Sequence, residues 1–414
     1  MLVLEQLANG NPQNSCNLSN WKCGVTLLSL HPSIFIMPKA PCTPPDLNAI
    51  NLDWRRIMPL LGQANAALGR YDGLLRSLPN AAVLLSPITT NEAVLSSRIE
   101  GTQVTLEEVL QQDGGIDAAP ERQADMVEVR NYRNALFGAE ASMAHRPISL
   151  SLIKEVHQAL MQGFRGQDKA PGEFRNDQNW IGRAGSTMED ARFIPPNPLI
   201  LPQALEAWES YIANTEEDPV LQIAIVHAQF EILHPFKDGN GRIGRMLIPL
   251  VLYQRGLLSR PMFYLSEYLE ANRAEYYDRL LAVTDNDDWQ GWVEFFTNGV
   301  LMQADQNLSK AQKMHALYNE LKDKFIEATK SQFAVPALDA FFKKPILNST
   351  DFAARSGIGN RVTANSILKT LTDLSLIQIL KPGAGRTPHI YVLGDLLNIA
   401  EGRDVVAVRP VHIT

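Results

Sequence analysis

The sequence predicts a mainly α protein: a helical bundle with one small β-hairpin, followed by a C-terminal module that mixes helices with short strands. Three observations carry that expectation. Apolar residues recur at helical spacing through most of the 414 residues. Helix start and stop signals bracket those runs. Runs rich in β-formers are confined to residues 168–198 and 376–392.

A chain of this length implies two or three domains and ample core. Hydrophobic residues make up 45% and charged residues 20%, an ordinary soluble balance. The net charge of −7 argues against nucleic-acid binding by the whole surface. The three cysteines, Cys16, Cys23 and Cys42, all lie near the N-terminus. Their odd number and spacing point to a reducing compartment, without a disulfide framework or a zinc site. Gly24 to Met37 is apolar but too short to span a bilayer, and it carries His31 and Pro32. The start lacks a basic region before an apolar core, so no signal peptide is expected and the cytoplasm is the expected location.

The first 44 residues, rich in Asn, Ser and Pro, form a poorly specified arm. Leu52 to Leu78 reads as a bundle helix. Thr89 and Glu92 fit a capping box, Thr-x-x-Glu, for a short helix that stops at Gly101. Thr105 and Glu108 fit a second. Val127 to Ala144, Leu150 to Gly163 and Leu201 to Ile212 read as further helices. Between them, Asp168 to Pro198 spaces Phe174, Trp180, Ile181, Phe193 and Ile194 among glycines and serines, which predicts a β-hairpin-like flap. An extended edge of that kind can hold a peptide by strand addition.

The most informative stretch is HPFKDGNGRIGR, from His234 to Arg245. Pro219 to Leu233 before it and Ile243 to Tyr253 after it are both apolar-periodic, so the order is helix, tight loop, helix. Gly239 and Gly241 admit close approach of a ligand, and Asn240 tolerates a left-handed turn. The loop opens a helix N-terminus, where free N–H groups favour an anion. Arg242 and Arg245 stand three apart on that helix and suit phosphate oxygens. Asp238 offers the single hard oxygen that phosphate-bound magnesium takes from protein. His234 has the pKa for proton abstraction near neutrality. The stretch is not a Walker A loop, since no Gly-Lys-Ser/Thr follows the glycines. His227, one heptad earlier, reads as a packed histidine.

HPFKDGNGRIGR resembles the signature of the Fic family, HPFx(D/E)GN(G/K)RxxR, with every fixed position present. The resemblance runs from about Pro44 to Val300 and implies a Fic helical bundle that transfers AMP from ATP to a protein hydroxyl. Upstream, Ser96-x-x-x-Glu100-Gly101 is similar to the family's inhibitory motif, (S/T)xxxE(G/N). It implies that Glu100 pairs with Arg245. A carboxylate at a helix C-terminus is unfavourable for the dipole, which a guanidinium offsets. Asn179-Trp180-Ile181-Gly182 matches the family's flap, implying target contacts at Trp180 and Ile181. Tyr276 sits where relatives place nucleotide contacts, with core packing as its alternative.

Beyond Val300 a charged helical stretch reads as a connector. From Ala337 the pattern becomes helix, helix, helix and two β-runs around a Lys381–Thr387 turn. This resembles a winged helix-turn-helix. Phe341 to Val392 holds seven Lys/Arg against two Asp, a composition that suits DNA; docking of a protein is the alternative. The expected organisation is an arm (1–44), an N-terminal helical region (45–125), a catalytic core (126–300), a connector (301–332) and a winged-helix domain with its tail (333–414).

The resemblance implies ATP and Mg2+ bound along Gly239, Asn240, Gly241, Arg242, Ile243, Gly244 and Arg245, with Asp238 on the metal. His234 would deprotonate a Ser, Thr or Tyr hydroxyl of a target protein. Glu100, with Ser96, would block transfer by occupying Arg245. Three further readings stay open: removal of AMP with Glu100 aligning water, a DNA-binding regulator with a nucleotide-sensing core, and a homodimer.

Overall fold

A computed structural model describes residues 40–163, 167–183, 185–385 and 387–407. Cys16, Cys23 and all of the expected arm but its last five residues lie outside the described residues. The bundle begins with α1 (Trp54–Ser77), whose N-terminus is capped by the Asp53 carboxylate. After α2 (Ala81–Leu84), α3 (Ser86–Ile99) carries Ser96 and ends on Glu100. Then come α4 (Leu106–Asp113), α5 (Gln123–Met143), α6 (Leu150–Leu160) and α7 (Leu201–Ala213). The central pair is α8 (Pro219–Leu233) and α9 (Asn240–Gln254), both buried on nearly every side. A helix apolar all round belongs at a bundle's centre. Asp218 starts α8 by accepting from Val220 and Leu221 N–H, with Pro219 in the first turn. Helices α1, α7, α11 (Arg273–Asn286) and α12 (Trp289–Thr329) pack on α8, while α3, α5 and α6 pack on α9. The short α10 (Ser266–Ala271) lies against α3.

Three expectations change. The Thr105–Glu108 capping box forms, but the Thr89–Glu92 one does not. Helix α3 starts earlier, at Ser86, with Pro87 in its first turn. Thr89 instead meets the Tyr264 hydroxyl at 3.0 Å. Glu92 is buried and accepts from Tyr132 (3.0 Å) and Ser266 (2.6 Å). Tertiary partners took the two side chains that a cap would have used. Among its described residues the flap pairs only at Ile181 and Phe193, by an isolated antiparallel bridge; Gly182 and Pro195-Pro196 disfavour a longer ladder. The closing helix and the connector are one unbroken helix, the 41-residue α12.

The C-terminal module runs α13 (Ala334–Lys343), β1 (Ile346–Asn348), α14 (Ser349–Arg355), α15 (Arg361–Asp373), β2 (Gln378–Lys381), β3 (Ile390–Val392) and α16 (Gly394–Glu401). The antiparallel sheet has the order β1-β3-β2, with Leu347 and Ile379 both opposite Tyr391. Strand β1 and helix α16 were not expected. The buried apolar residues of module and bundle form one continuous core, reached through Met314, Leu321 and Phe325 of α12. No helix among the described residues is long and apolar enough to cross a membrane.

Candidate active site

His234 ends α8 in the left-handed region (φ 45°), its N–H still bonded to the Phe230 carbonyl at 3.0 Å. Non-glycine residues enter that region at a cost, so the surroundings must hold it. Arg175, itself buried, does so. Its Nε donates to the His234 carbonyl (2.9 Å) and its Nη2 to Pro196 (2.6 Å) and Leu233 (3.3 Å) carbonyls. Asn240 closes the loop from the other end: its Oδ1 accepts from Phe236 N–H and its Nδ2 donates to Phe236 O, both at 2.8 Å. His157 stacks on Phe236 with ring centroids 3.8 Å apart. Its Nδ1 accepts from Gly172 N–H (2.8 Å), which leaves Nε2 to donate to the Asp238 carbonyl (3.1 Å). Gly239 turns into α9 at φ 80°.

The two arginines diverge. Arg242 reaches Glu128 (3.0 Å) and Asp238 (3.3 Å). Arg245, its side chain 1% exposed, donates Nε to Ser96 Oγ (2.9 Å) and Nη2 to Ser96 O (2.9 Å) and Glu100 Oε1 (2.6 Å). Ser96 and Glu100, one turn apart on α3, therefore share one guanidinium. Glu100 lies over Gly241, where any β-carbon would collide with its carboxylate. Three residues along α9, Glu231 lies over Gly244 in the same way. Ile243 is buried beneath this face.

The electrostatics follow from burial and these partners. Burial pushes the Glu100 carboxyl up, but Arg245 and then Arg242 outweigh it and hold it below the usual range. Burial raises Glu231 to about 8, with Arg245 opposing and Glu100 adding. Glu231 is thus held neutral mainly by burial, with the Glu100 carboxylate adding to it. Burial lowers His234 to about 4, against the pull of Glu100, so its imidazole is neutral at neutral pH. Asp238 keeps a side chain 46% exposed. Among the described residues no three His, Cys, Asp or Glu are grouped to hold a metal. A single accessible carboxylate nonetheless fits a magnesium ion that keeps most of its ligands from water and phosphate.

Tyr276 and His227 sit behind this surface. Tyr276 is 1% exposed and its hydroxyl donates to His227 Nε2 (2.9 Å), while His227 Nδ1 donates to the Gly244 carbonyl (2.9 Å). The structure thus places Tyr276 in the core, bracing α9. Trp180 is 43% exposed with its indole N–H on Ser186 O (3.0 Å), and Ile181 carries the flap's bridge to Phe193. The sequence reading missed Arg175, His157, Glu128 and Glu231. Only Glu231 left a signal, as the one charge within the apolar run PVLQIAIVHAQFEIL.

Residues 58–140 match the Fic/DOC family N-terminal model and 147–252 the Fic/DOC family model. A probable protein adenylyltransferase of Aquifex aeolicus is 24% identical over 258 residues, covering 58% of this chain and 74% of the relative. Protein adenylyltransferase fic-1 of Caenorhabditis elegans is 30% identical over 142 residues, covering 34% of this chain, which spans only 25% of that relative's length. The crystal structure of a Fic family protein from Desulfovibrio desulfuricans superimposes with a TM-score of 0.53 at 22% identity, over 86% of this chain and 98% of that one. A Fic-domain signaling protein from Bacteroides thetaiotaomicron gives 0.50 at 19% identity, over 61% and 97%. These two show the fold alone; the family matches assign Fic/DOC family regions to residues 58–140 and 147–252, the second of which contains the intact loop from His234 to Arg245.

Proposed function

We propose that the protein transfers AMP from ATP to a hydroxyl of a target protein and that Glu100 restrains this activity. The observation that carries the reading is a neutral, half-buried His234 at the rim of a helix N-terminus whose second arginine is held by Glu100. The named adenylyltransferases among its relatives support the chemistry. ATP phosphates bind the first turn of α9 and Arg242 and Arg245. The neutral His234 imidazole acts as the base toward the incoming Ser, Thr or Tyr hydroxyl. That oxygen attacks the α-phosphorus, the bond to the bridging oxygen breaks, and pyrophosphate leaves with the electron pair. Asp238 would hold Mg2+, which supplies charge neutralisation on the phosphates when bound. The exposed Trp180 and the edge at Ile181 receive the target segment.

The test is His234→Ala with labelled ATP and a lysate. Transfer should vanish while ATP affinity stays within about twofold, because a base acts on the transition state and adds little to ground-state binding. Transfer that survives the substitution would remove His234 from the chemistry.

A second reading concerns the module after α12. Its element order supports a winged helix, and α15 exposes Arg361, Asn365, Ser366 and Lys369 on one side. That polar, basic face supports binding of duplex DNA in the major groove.

A further inference from the structure

We propose that the C-terminal module clamps α3 in the position that pairs Glu100 with Arg245, so that loosening the module's grip releases the pair. The regulatory meaning rests on the reading of Glu100 as a brake; the clamp itself does not.

Helix α3 is held between two bodies. One side faces the catalytic bundle: Glu92 accepts from Tyr132 and Ser266, and Ser96 binds Arg245. At ~100° per residue, Thr90, Val94 and Ser97 fall on the far side, and all three are buried. The elements packed on α3 include α5, α9 and α10 from the bundle and α13 and α16 from the module. The far side of a brake helix that could swing freely would face water.

Both ends of the segment are also tied to the module. At the first residue of α3, Ser86 Oγ donates to the Lys343 carbonyl at the end of α13 (3.0 Å). Beyond the brake, α4 ends at Gly114, whose carbonyl accepts from Asn348 Nδ2 of β1 (3.1 Å). The approach there is close: a β-carbon on Gly114 would stand 2.7 Å from Ile346 Cγ2 and 3.2 Å from Ile346 O. The Asn348 Oδ1 also caps α14, accepting from Thr350 and Asp351 N–H. One side chain therefore joins the brake segment to the module's own fold.

Rotation of the Glu100 side chain can move its carboxylate alone. Ser96 holds the same guanidinium through both its hydroxyl and its backbone carbonyl, so freeing Arg245 fully requires α3 itself to shift. The anchors at residues 86 and 114 lie on either side of that shift. The coupling is physical contact through packed elements with two arrangements, seated and displaced.

The test uses the full chain with Ser86→Ala and, separately, Gly114→Ala, whose helical backbone accepts alanine but whose β-carbon wedges against Ile346. Amide hydrogen exchange is followed at Ser97–Thr102, with α8 as an internal control. Loss of one hydrogen bond should speed exchange at Ser97–Thr102 roughly two- to tenfold, with α8 unchanged. Acceleration confined to residues 86–90 or 114–116, or none, overturns the clamp. AMP transfer from labelled ATP is measured in parallel with Glu100→Gly. If Glu100→Gly activates and both interface variants stay at the wild-type rate, the regulatory role falls. If Glu100→Gly itself fails to activate, the brake reading falls, and the exchange data still decide the clamp.

Discussion

Glu100→Gly is the most discriminating change. In the wild type, ATP must take Arg245 from a carboxylate 2.6 Å away. A hydrogen bond between charged groups contributes roughly 1.5–3 kcal/mol when well shielded. Here the guanidinium is shielded but the glutamate side chain is 34% exposed, so solvent screening reduces that to roughly 1–2 kcal/mol. ATP should therefore bind Glu100→Gly about 5- to 30-fold more tightly than wild type. Two consequences separate this from a general loosening. Without ATP the variant should melt lower, because Arg245 keeps only Ser96 as a partner. With saturating ATP it should gain more in melting temperature than wild type, since stabilisation follows ligand concentration over Kd. Self-modification with labelled ATP should accelerate at least as much as affinity rises. Arg245→Ala should not mimic the release, because it removes the phosphate contact with the lock. Equal ATP affinities and equal transfer rates in wild type and Glu100→Gly would refute the reasoning. Loss in the variant of an ability to strip AMP from a modified target would give the glutamate a second task, alignment of water.

Burial lowers His157 and His234 to about 4 and His227 to about 3, against about 6.5 when unfolded. Their stability contribution is complete above pH 6.5 and is lost as pH falls toward 4, so melting temperature should drop steeply across that window and less steeply in His227→Gln; a flat acid limb would contradict neutral, buried rings. Glu231 has the opposite sense: a folded value of about 8 means that the native state is progressively disfavoured as pH rises from about 4.5 to 8. Glu231→Gln should therefore raise the melting temperature more at pH 8 than at pH 5, and a fall at pH 8 would show the carboxylate to be ionised and paired. If the α15 face binds DNA, duplex affinity of the full chain should fall linearly on a log–log plot against salt, and Arg361→Glu with Lys369→Glu should flatten the slope; no affinity at low salt would assign the face to a protein.

The loop from His234 to Arg245 was readable because local chemistry builds it: a left-handed turn, an asparagine that bonds its own loop, and an anion-ready helix start. The Thr105 and Thr89 motifs show the limit of such reading. Both spell Thr-x-x-Glu, yet only the first is a cap; Tyr132, Ser266 and Tyr264, remote in sequence, claim the second. Arg175 and His157 brace the loop through backbone carbonyls and N–H groups, which no sequence pattern announces. Strand β1 has three residues, too few to show alternation. At residue 300 composition turns from apolar to charged because α12 buries only one of its faces from there on, not because the helix ends. Tyr276 lies one position from a half-buried tyrosine, and the rotation of about 100° between neighbours on a helix decides which of them reaches the core.

Helix α12 sets a length as well as a connection. Its 41 residues form a rod of about 60 Å, with Trp292 and Phe296 seated near His227 at one end and Met314, Leu321 and Phe325 under the C-terminal module at the other. Each residue added or removed between those ends turns the far end by about 100° and moves it about 1.5 Å. A single-residue deletion near Gln306 would leave both halves intact yet point the module away from its seat. Drift in chain length should therefore be tolerated in the loops and rejected in this rod. A shortened protein cut at residue 300 would strip the bundle of Ala304, Asn307 and Ala311, which the rod buries beyond that point.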